Sequence, residues 1–216
     1  KIRFSAASSG YQSVLPLSLI TRFLSDLVLD NANKEDLSIK EKKQIEKEVN
    51  KVMNDKSLTD GVKFAMLRNI SSRFKYSCFV NIVEEMELNL YPESQRSVLF
   101  DLLSYANKIE LNRLVLTTHS PYVINYLTLA AKAFLLTQKI SANETLQERI
   151  KEVVPADSAI DPARLRIYEL KDGGVFRLST YEGLPSDENF LNIQLGVTNE
   201  LFDQLLEIEQ EFDYKN

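Results

Sequence analysis

Residues 80–95, VNIVEEMELNLYPESQ, contain an apolar run that stops abruptly at a group of acidic residues. The apolar run extends from Cys78 to Val83, and Glu84 and Glu85 follow it directly. Two adjacent carboxylates at the end of a buried strand repel each other, so they need either water or a positive charge beside them. A solvated turn would meet this need with water and a metal site with a cation, and both interpretations stay open at this point.

A second apolar run follows one helix later in the chain. Residues 113–118, RLVLTT, end at His119, and residues 94–108 between the two runs carry apolar side chains at helical spacing. This alternation of strands and helices predicts an α/β fold with a parallel sheet flanked by helices. Because the carboxyl ends of neighbouring parallel strands meet at one edge of a sheet, we expect Glu84 and Glu85 to lie beside His119.

The rest of the chain predicts additions to this sheet. Residues 31–57 are highly charged with a narrow apolar stripe, which predicts a helical insertion that is either a solvated surface helix or a lid. Residues 62–73 predict a further helix. Residues 165–179 read as a β-hairpin, and residues 187–213 read as a final helix.

The composition excludes several classes of protein. The 216 residues carry a net charge of −5, which provides no general basic field for nucleic acid or an anionic membrane. The lone Cys78 cannot form an internal disulfide, so we expect a reducing cytoplasm, and a single histidine excludes zinc sites built from His and Cys clusters. No secretory signal is recognised at the start, and residues 122–138 are polar enough to predict a buried helix instead of a membrane span. The absence of a G-x-S-x-G motif argues against a Ser–His hydrolase.

Two further features bear on phosphate chemistry. Of the two acids, one can hold Mg²⁺ and the other can orient or deprotonate water, while His119 can contact a transferred phosphate. For His119 alone, a helix-capping or core histidine is the alternative. Residues 8–12, SSGYQ, begin a long helix, where backbone N–H groups can bind an anion, although an ordinary helix cap uses the same residue types.

The order ASSGYQ, NIVEEMELNLYP and VLTTHSPY resembles the carboxy-terminal half of ATP-binding-cassette (ABC) type ATPases. It is most similar to the soluble branch that includes the overcoming-lysogenization-defect (AAA/OLD-like) ATPases and the related SMC and RecF-like proteins, over about residues 5 to 130. The resemblance implies a P-loop NTPase lobe within residues 1–140, with residues 31–57 as an insertion and residues 141–216 as an extension that contains the hairpin and the final helix.

The resemblance also implies roles for individual residues. Glu84 matches the Walker B acid that supports Mg²⁺, Glu85 the catalytic glutamate, and His119 the switch histidine that senses the γ-phosphate. Residues 87–90 match the dimer-facing loop. The residues that match the signature motif, which contacts the γ-phosphate bound by the partner subunit, are Ser8, Ser9, Gly10 and Gln12.

Several residues depart from the family pattern. Ala7, Ser9 and Tyr11 replace the usual residues of the signature motif, Met86 replaces a proline after the paired acids, and Tyr91 replaces a frequent histidine. We interpret these as variation within the soluble branch.

The largest departure is that no Gly-x-x-x-x-Gly-Lys-Ser/Thr motif occurs in the 216 residues. In the family this Walker A loop precedes the signature motif, so we expect the chain to be a carboxy-terminal piece that does not hydrolyse ATP efficiently alone.

The expected function is therefore ATP binding and hydrolysis in a head-to-tail homodimer with Mg²⁺ as cofactor. A separate effector protein or nucleic acid could be a partner, and no membrane partner is expected. The alternative is a non-hydrolysing, nucleotide-gated dimerisation module that recruits an effector. The residues leave open whether the cycle would serve defence, DNA repair or regulation.

Overall fold

The computed structural model describes residues 3–33, 38–73 and 77–215. Part of the predicted insertion, residues 34–37, lies outside the described residues. The helices within the described residues, in chain order, are α1 (Ser9–Asn33), α2 (Ile39–Asn54), α3 (Asp60–Arg73), α4 (Pro92–Asn107), α5 (Pro121–Lys139), α6 (Glu144–Val153) and α7 (Phe190–Lys215). The strands are β1 (Val80–Glu84), β2 (Arg113–Thr117), β3 (Tyr168–Lys171), β4 (Gly174–Arg177), β5 (Thr180–Tyr181) and β6 (Leu184–Pro185).

Strands β1 and β2 form a two-stranded parallel sheet, with Val80 opposite Arg113 and Glu84 opposite Thr117. Helix α4 connects them, so the predicted strand–helix–strand unit and the mixed α/β class are confirmed. The sheet is small, with two antiparallel hairpins, β3–β4 and β5–β6, elsewhere in the chain.

The hydrophobic core lies where α4 and α5 meet the sheet. Leu99, Val123 and Ala130 are fully buried there, and Val154, just after α6, joins the same cluster. Proline stands at the start of both α4 and α5, where its missing N–H costs no hydrogen bond. The predicted buried helix at residues 122–138 is confirmed as α5.

The opposite face of the sheet is exposed to solvent. Val80, Ile82 and Val115 have exposed fractions of 57%, 68% and 47%. Parallel sheets are normally covered on both faces, whereas the described residues of this chain bury one face of the sheet and leave the other exposed.

Helix α1 packs near this sheet through a polar contact. The Asn81 side chain donates a hydrogen bond of 3.0 Å to the hydroxyl of Thr21, which is buried. Among the described residues, only the segment 9–30 of α1 is long and apolar enough to cross a membrane, which is weak evidence for a membrane protein.

The charged segment forms helices, as predicted. Helix α2 begins with a capping box in which the Ser38 hydroxyl and the Glu41 carboxylate each accept the other's backbone N–H. Helix α3 folds back against α2, and the Lys63 ammonium donates to the carbonyl of Met53 at 3.1 Å. We call α2, α3 and the connection between them (residues 38–73) the charged hairpin.

The carboxy-terminal hairpin is also confirmed. Strands β3 and β4 pair antiparallel around Asp172 and Gly173, whose φ angles of 50° and 75° suit a two-residue turn with the left-handed conformation at both positions. The final helix is α7, which begins three residues later than predicted and extends to Lys215.

Candidate active site

Glu85 and His119 lie together at the carboxyl ends of the two parallel strands, and Glu84 is adjacent to Glu85 in the chain. Glu84 is the last residue of β1, and Glu85 follows it beside the end of β2. The distance from Glu85 Oε1 to His119 Nε2 is 3.6 Å. Both side chains remain accessible, with exposed fractions of 47% for Glu85 and 84% for His119. The structure therefore brings one acid and the histidine to a shared, open edge of the sheet.

The backbone of Glu85 has an uncommon conformation. Its φ of 46° lies in the left-handed region, which costs a non-glycine residue on the order of 1 kcal/mol or more. The Glu85 N–H donates to the Thr117 carbonyl at 3.0 Å and also approaches the Thr117 hydroxyl at 3.3 Å. These contacts to β2 hold the strained turn and aim the Glu85 side chain at His119.

Glu87 fixes the position of the His119 backbone. Its Oε1 accepts the His119 N–H at 2.6 Å, and its Oε2 is buried without a hydrogen-bond partner in the described part of the chain. A hydrogen bond to a charged acceptor is among the stronger ones in proteins. The resemblance implied a dimer-facing loop at Glu87, so this contact within the chain is an additional finding.

A second polar link joins the loops after β1 and β2. The buried Gln95 of α4 donates to the Leu90 carbonyl at 3.0 Å and accepts from the Ser120 hydroxyl at 2.7 Å. Sequence reasoning missed Gln95, although the signal was present: Gln95 occupies a core position of α4, one turn before Val98 and Leu99. A polar residue at a core position of a helix usually has a specific partner.

Residues 8–12 make the contacts of a helix cap. The Ser8 hydroxyl accepts the Tyr11 N–H at 3.4 Å. The Gln12 side chain donates to the Ala7 carbonyl at 2.8 Å. The Ser9 carbonyl accepts the Ser13 hydroxyl at 3.2 Å. The first backbone N–H groups of α1 still lack partners within the helix, as at every helix start.

Gly10 packs against the loop that follows β1. It is buried, and a Cβ at this position would lie 2.6 Å from the Asn89 carbonyl oxygen. Any residue other than glycine would therefore force the loop or the helix to move. Asn89 itself has a φ of 60°. The signature-like turn therefore contacts residues 89–90, while no hydrogen bond within the described residues joins it to Glu84, Glu85 or His119.

The site has few possible metal ligands. In the described ranges, 3–33, 38–73 and 77–215, no three His, Cys, Asp or Glu side chains converge as a metal-binding group. Mg²⁺ nevertheless fits the exposed Glu84, because Mg²⁺ is usually held by one or two carboxylates together with waters and substrate phosphates.

The arrangement can bind a cation, accept a proton from water and donate a hydrogen bond to an anion. No family model, curated protein or solved structure matches the chain. The chemistry assigned to the site therefore depends on its own residues.

Proposed function

We propose that this chain forms part of the ATP-binding and hydrolysing site of a soluble ABC-type ATPase with a P-loop NTPase fold. The observation that carries the proposal is the 3.6 Å pairing of Glu85 with His119 at the carboxyl ends of two parallel strands, with Glu84 adjacent. Ligands of open α/β sheets bind at this edge, and the exposure of these side chains leaves room for a nucleotide.

Each residue would act on a different part of the reaction. Glu84 would hold Mg²⁺ through water, and the bound ion would offset the charge of the phosphates. Glu85 would take a proton from the water that attacks the γ-phosphorus, while the bond from that phosphorus to the bridging oxygen breaks and its electron pair stays with ADP. His119 would donate a hydrogen bond to the transferred phosphoryl group.

The signature-like turn would act on a second subunit. In this proposal Ser8, Ser9, Gly10 and Gln12 of one copy close on the γ-phosphate held by the other, in a head-to-tail homodimer. The phosphate-binding lysine would come from chain outside these 216 residues, because they contain no Walker A motif. The free Cys78 fits the reducing cytoplasm that we propose as its location.

The test is Mg²⁺-dependent ATP turnover by the protein expressed from its own start codon. Glu85→Gln removes the proton acceptor and keeps the shape of the side chain, so we expect turnover to fall at least about 100-fold with ATP binding retained. Glu93→Gln, at an exposed position in the first turn of α4, is the matched control and should leave turnover unchanged.

Three results would change the proposal. Turnover that survives Glu85→Gln would remove Glu85 from the chemistry. ATP binding without turnover in either protein would favour the nucleotide-gated dimerisation module that recruits an effector. An absence of ATP binding would contradict both functions.

A further inference from the structure

Helix α7 projects from the body of the protein with an uncovered apolar stripe. Every side chain that the structure describes between residues 198 and 212 is exposed. Leu201, Leu205 and Ile208 lie on one side of the helix at spacings of four and three, with exposed fractions of 56%, 63% and 64%. Most helices in proteins gain their stability from packing of an apolar face, and such a stripe is typical of a helix that docks into a groove.

The rest of α7 is strongly acidic. Its sequence contains one basic residue, Lys215, and six acidic ones, which gives a net charge of −5: Glu200, Asp203, Glu207, Glu209, Glu211 and Asp213. Among these, Glu200 and Glu207 directly precede Leu201 and Ile208, so they form an acidic row along one side of the apolar stripe. Two α7 helices packed against each other would bring these rows together, so the charge disfavours pairing of α7 with α7.

The charged hairpin has the opposite charge and exposes several apolar side chains of its own. Residues 38–73 contain nine basic and five acidic residues, a net charge of +4. Lys43, Lys47 and Lys51 are spaced four apart and exposed along α2. The exposed apolar side chains of the hairpin are Ile39, Met53, Val62, Phe64 and Met66.

We propose that α7 of one copy docks on the charged hairpin of a second copy. The apolar stripe of α7 would cover the exposed Ile39 and Met53 of α2, and its acidic row would face the lysine row of the same helix. The described side chains of α7 stay exposed between residues 198 and 212 within one copy, so among the described residues this part of the helix does not pack on the hairpin of its own chain. Two copies related by a twofold axis form this contact twice, which doubles the buried area.

This interface is independent of the proposed function and needs no nucleotide. The experiment is therefore sedimentation equilibrium of the chain without ATP. The first variant, Lys43→Glu/Lys47→Glu/Lys51→Glu, reverses the hairpin row, and the second, Glu200→Lys/Glu207→Lys, reverses the α7 row. All five positions are exposed, so the fold should be retained, and circular dichroism checks this. The matched control, Lys132→Glu/Glu152→Lys, changes exposed charges on α5 and α6.

We expect the unmodified chain to dimerise and each reversed variant to dimerise at least about tenfold more weakly, because like charges then face each other. An equimolar mixture of the two variants should dimerise again, since both contacts of the mixed dimer pair opposite charges. Higher salt should weaken the dimer of the unmodified chain.

Restored dimerisation in the mixture would support docking between copies, because contacts within one chain remain repulsive in both variants. A chain that stays monomeric at about 100 μM, well above the Kd of a specific interface, would overturn the proposal. A dimer that neither reversal weakens, or a mixture that stays monomeric, would overturn it as well.

Discussion

Glu87 connects the acidic turn after β1 to the histidine after β2. The bond from the His119 N–H to Glu87 Oε1 is 2.6 Å long, and Gln95 adds a second link between the same loops. These bonds fix the backbone of the loops after β1 and β2, and this holds the Glu85 and His119 side chains close to each other. The Glu87 carboxylate binds the main-chain N–H of His119, so we regard Glu87 as a positioning residue.

Replacing Glu87 tests this role. Glu87→Ala removes the acceptor of the His119 N–H, and losing a hydrogen-bond partner costs about 1–3 kcal/mol. We therefore expect turnover in the proposed reaction to fall about tenfold or more, with KM little changed. Glu87→Gln keeps an acceptor oxygen and should retain most of the activity.

A spectroscopic measurement separates positioning from a general loss of stability. His119 is the lone histidine, so its imidazole gives one set of NMR signals. We expect these signals to move or broaden in Glu87→Ala and to stay near their original positions in Glu87→Gln. Unchanged histidine signals in both variants would contradict the positioning role.

At the scale of elements, α4 carries a carboxyl that the fold disfavours in its charged form. Desolvation and, second, the negative charge of Asp157 raise the pKa of Asp101 above its ordinary value of 3.8. Asp157 lies in the 3-10 turn Ala156–Ser158, which the Ser158 hydroxyl joins to the Phe100 carbonyl of α4 at 2.9 Å.

The pH dependence follows from this direction of the pKa shift. The protonated carboxyl contributes stability that is complete below pH 3.8 and is lost as the pH rises through the higher folded-state pKa of Asp101. Asp101→Asn should therefore raise the urea midpoint of unfolding at pH 7, and the gain should vanish near pH 3.

Asp157→Asn serves as the comparison, because it removes only the second cause of the shift. It should raise the midpoint less than Asp101→Asn does. An Asp101→Asn gain that persists unchanged at pH 3 would show that charge is not its origin.

The elements were predictable from the sequence to the extent that their signals are local. The two strands follow from apolar runs that end in charged or polar residues, and α4 follows from its periodicity. The links that shape the site are not local: Glu87 and His119 are 32 residues apart, and Gln95 and Ser120 are 25 apart. Asn81 in β1 has no sequence explanation, because its partner Thr21 lies 60 residues away on α1.

The whole molecule has its core on one side of the sheet. The resemblance implied a P-loop NTPase lobe. The strand–helix–strand pattern alone predicted two parallel strands, and the structure contains this β1–β2 pair. Leu99 of α4 is fully buried in the core on one side of the sheet, while Ile82 of β1 points to the other side and is 68% exposed. The stability of the chain should therefore depend very unequally on two apolar residues that lie close to the same strands.

Paired substitutions measure this inequality. Leu99→Ala should lower the free energy of unfolding by about 2–5 kcal/mol, because it leaves a cavity in the core. Ile82→Ala should change it by about 0.5 kcal/mol or less, as is usual for exposed positions. Urea unfolding of both variants at one low protein concentration provides the comparison. A loss of several kcal/mol for Ile82→Ala would mean that this face of the sheet is buried in solution. Repeating the titration at higher protein concentration would then reveal whether another copy covers the face, because stability that comes from association rises with concentration.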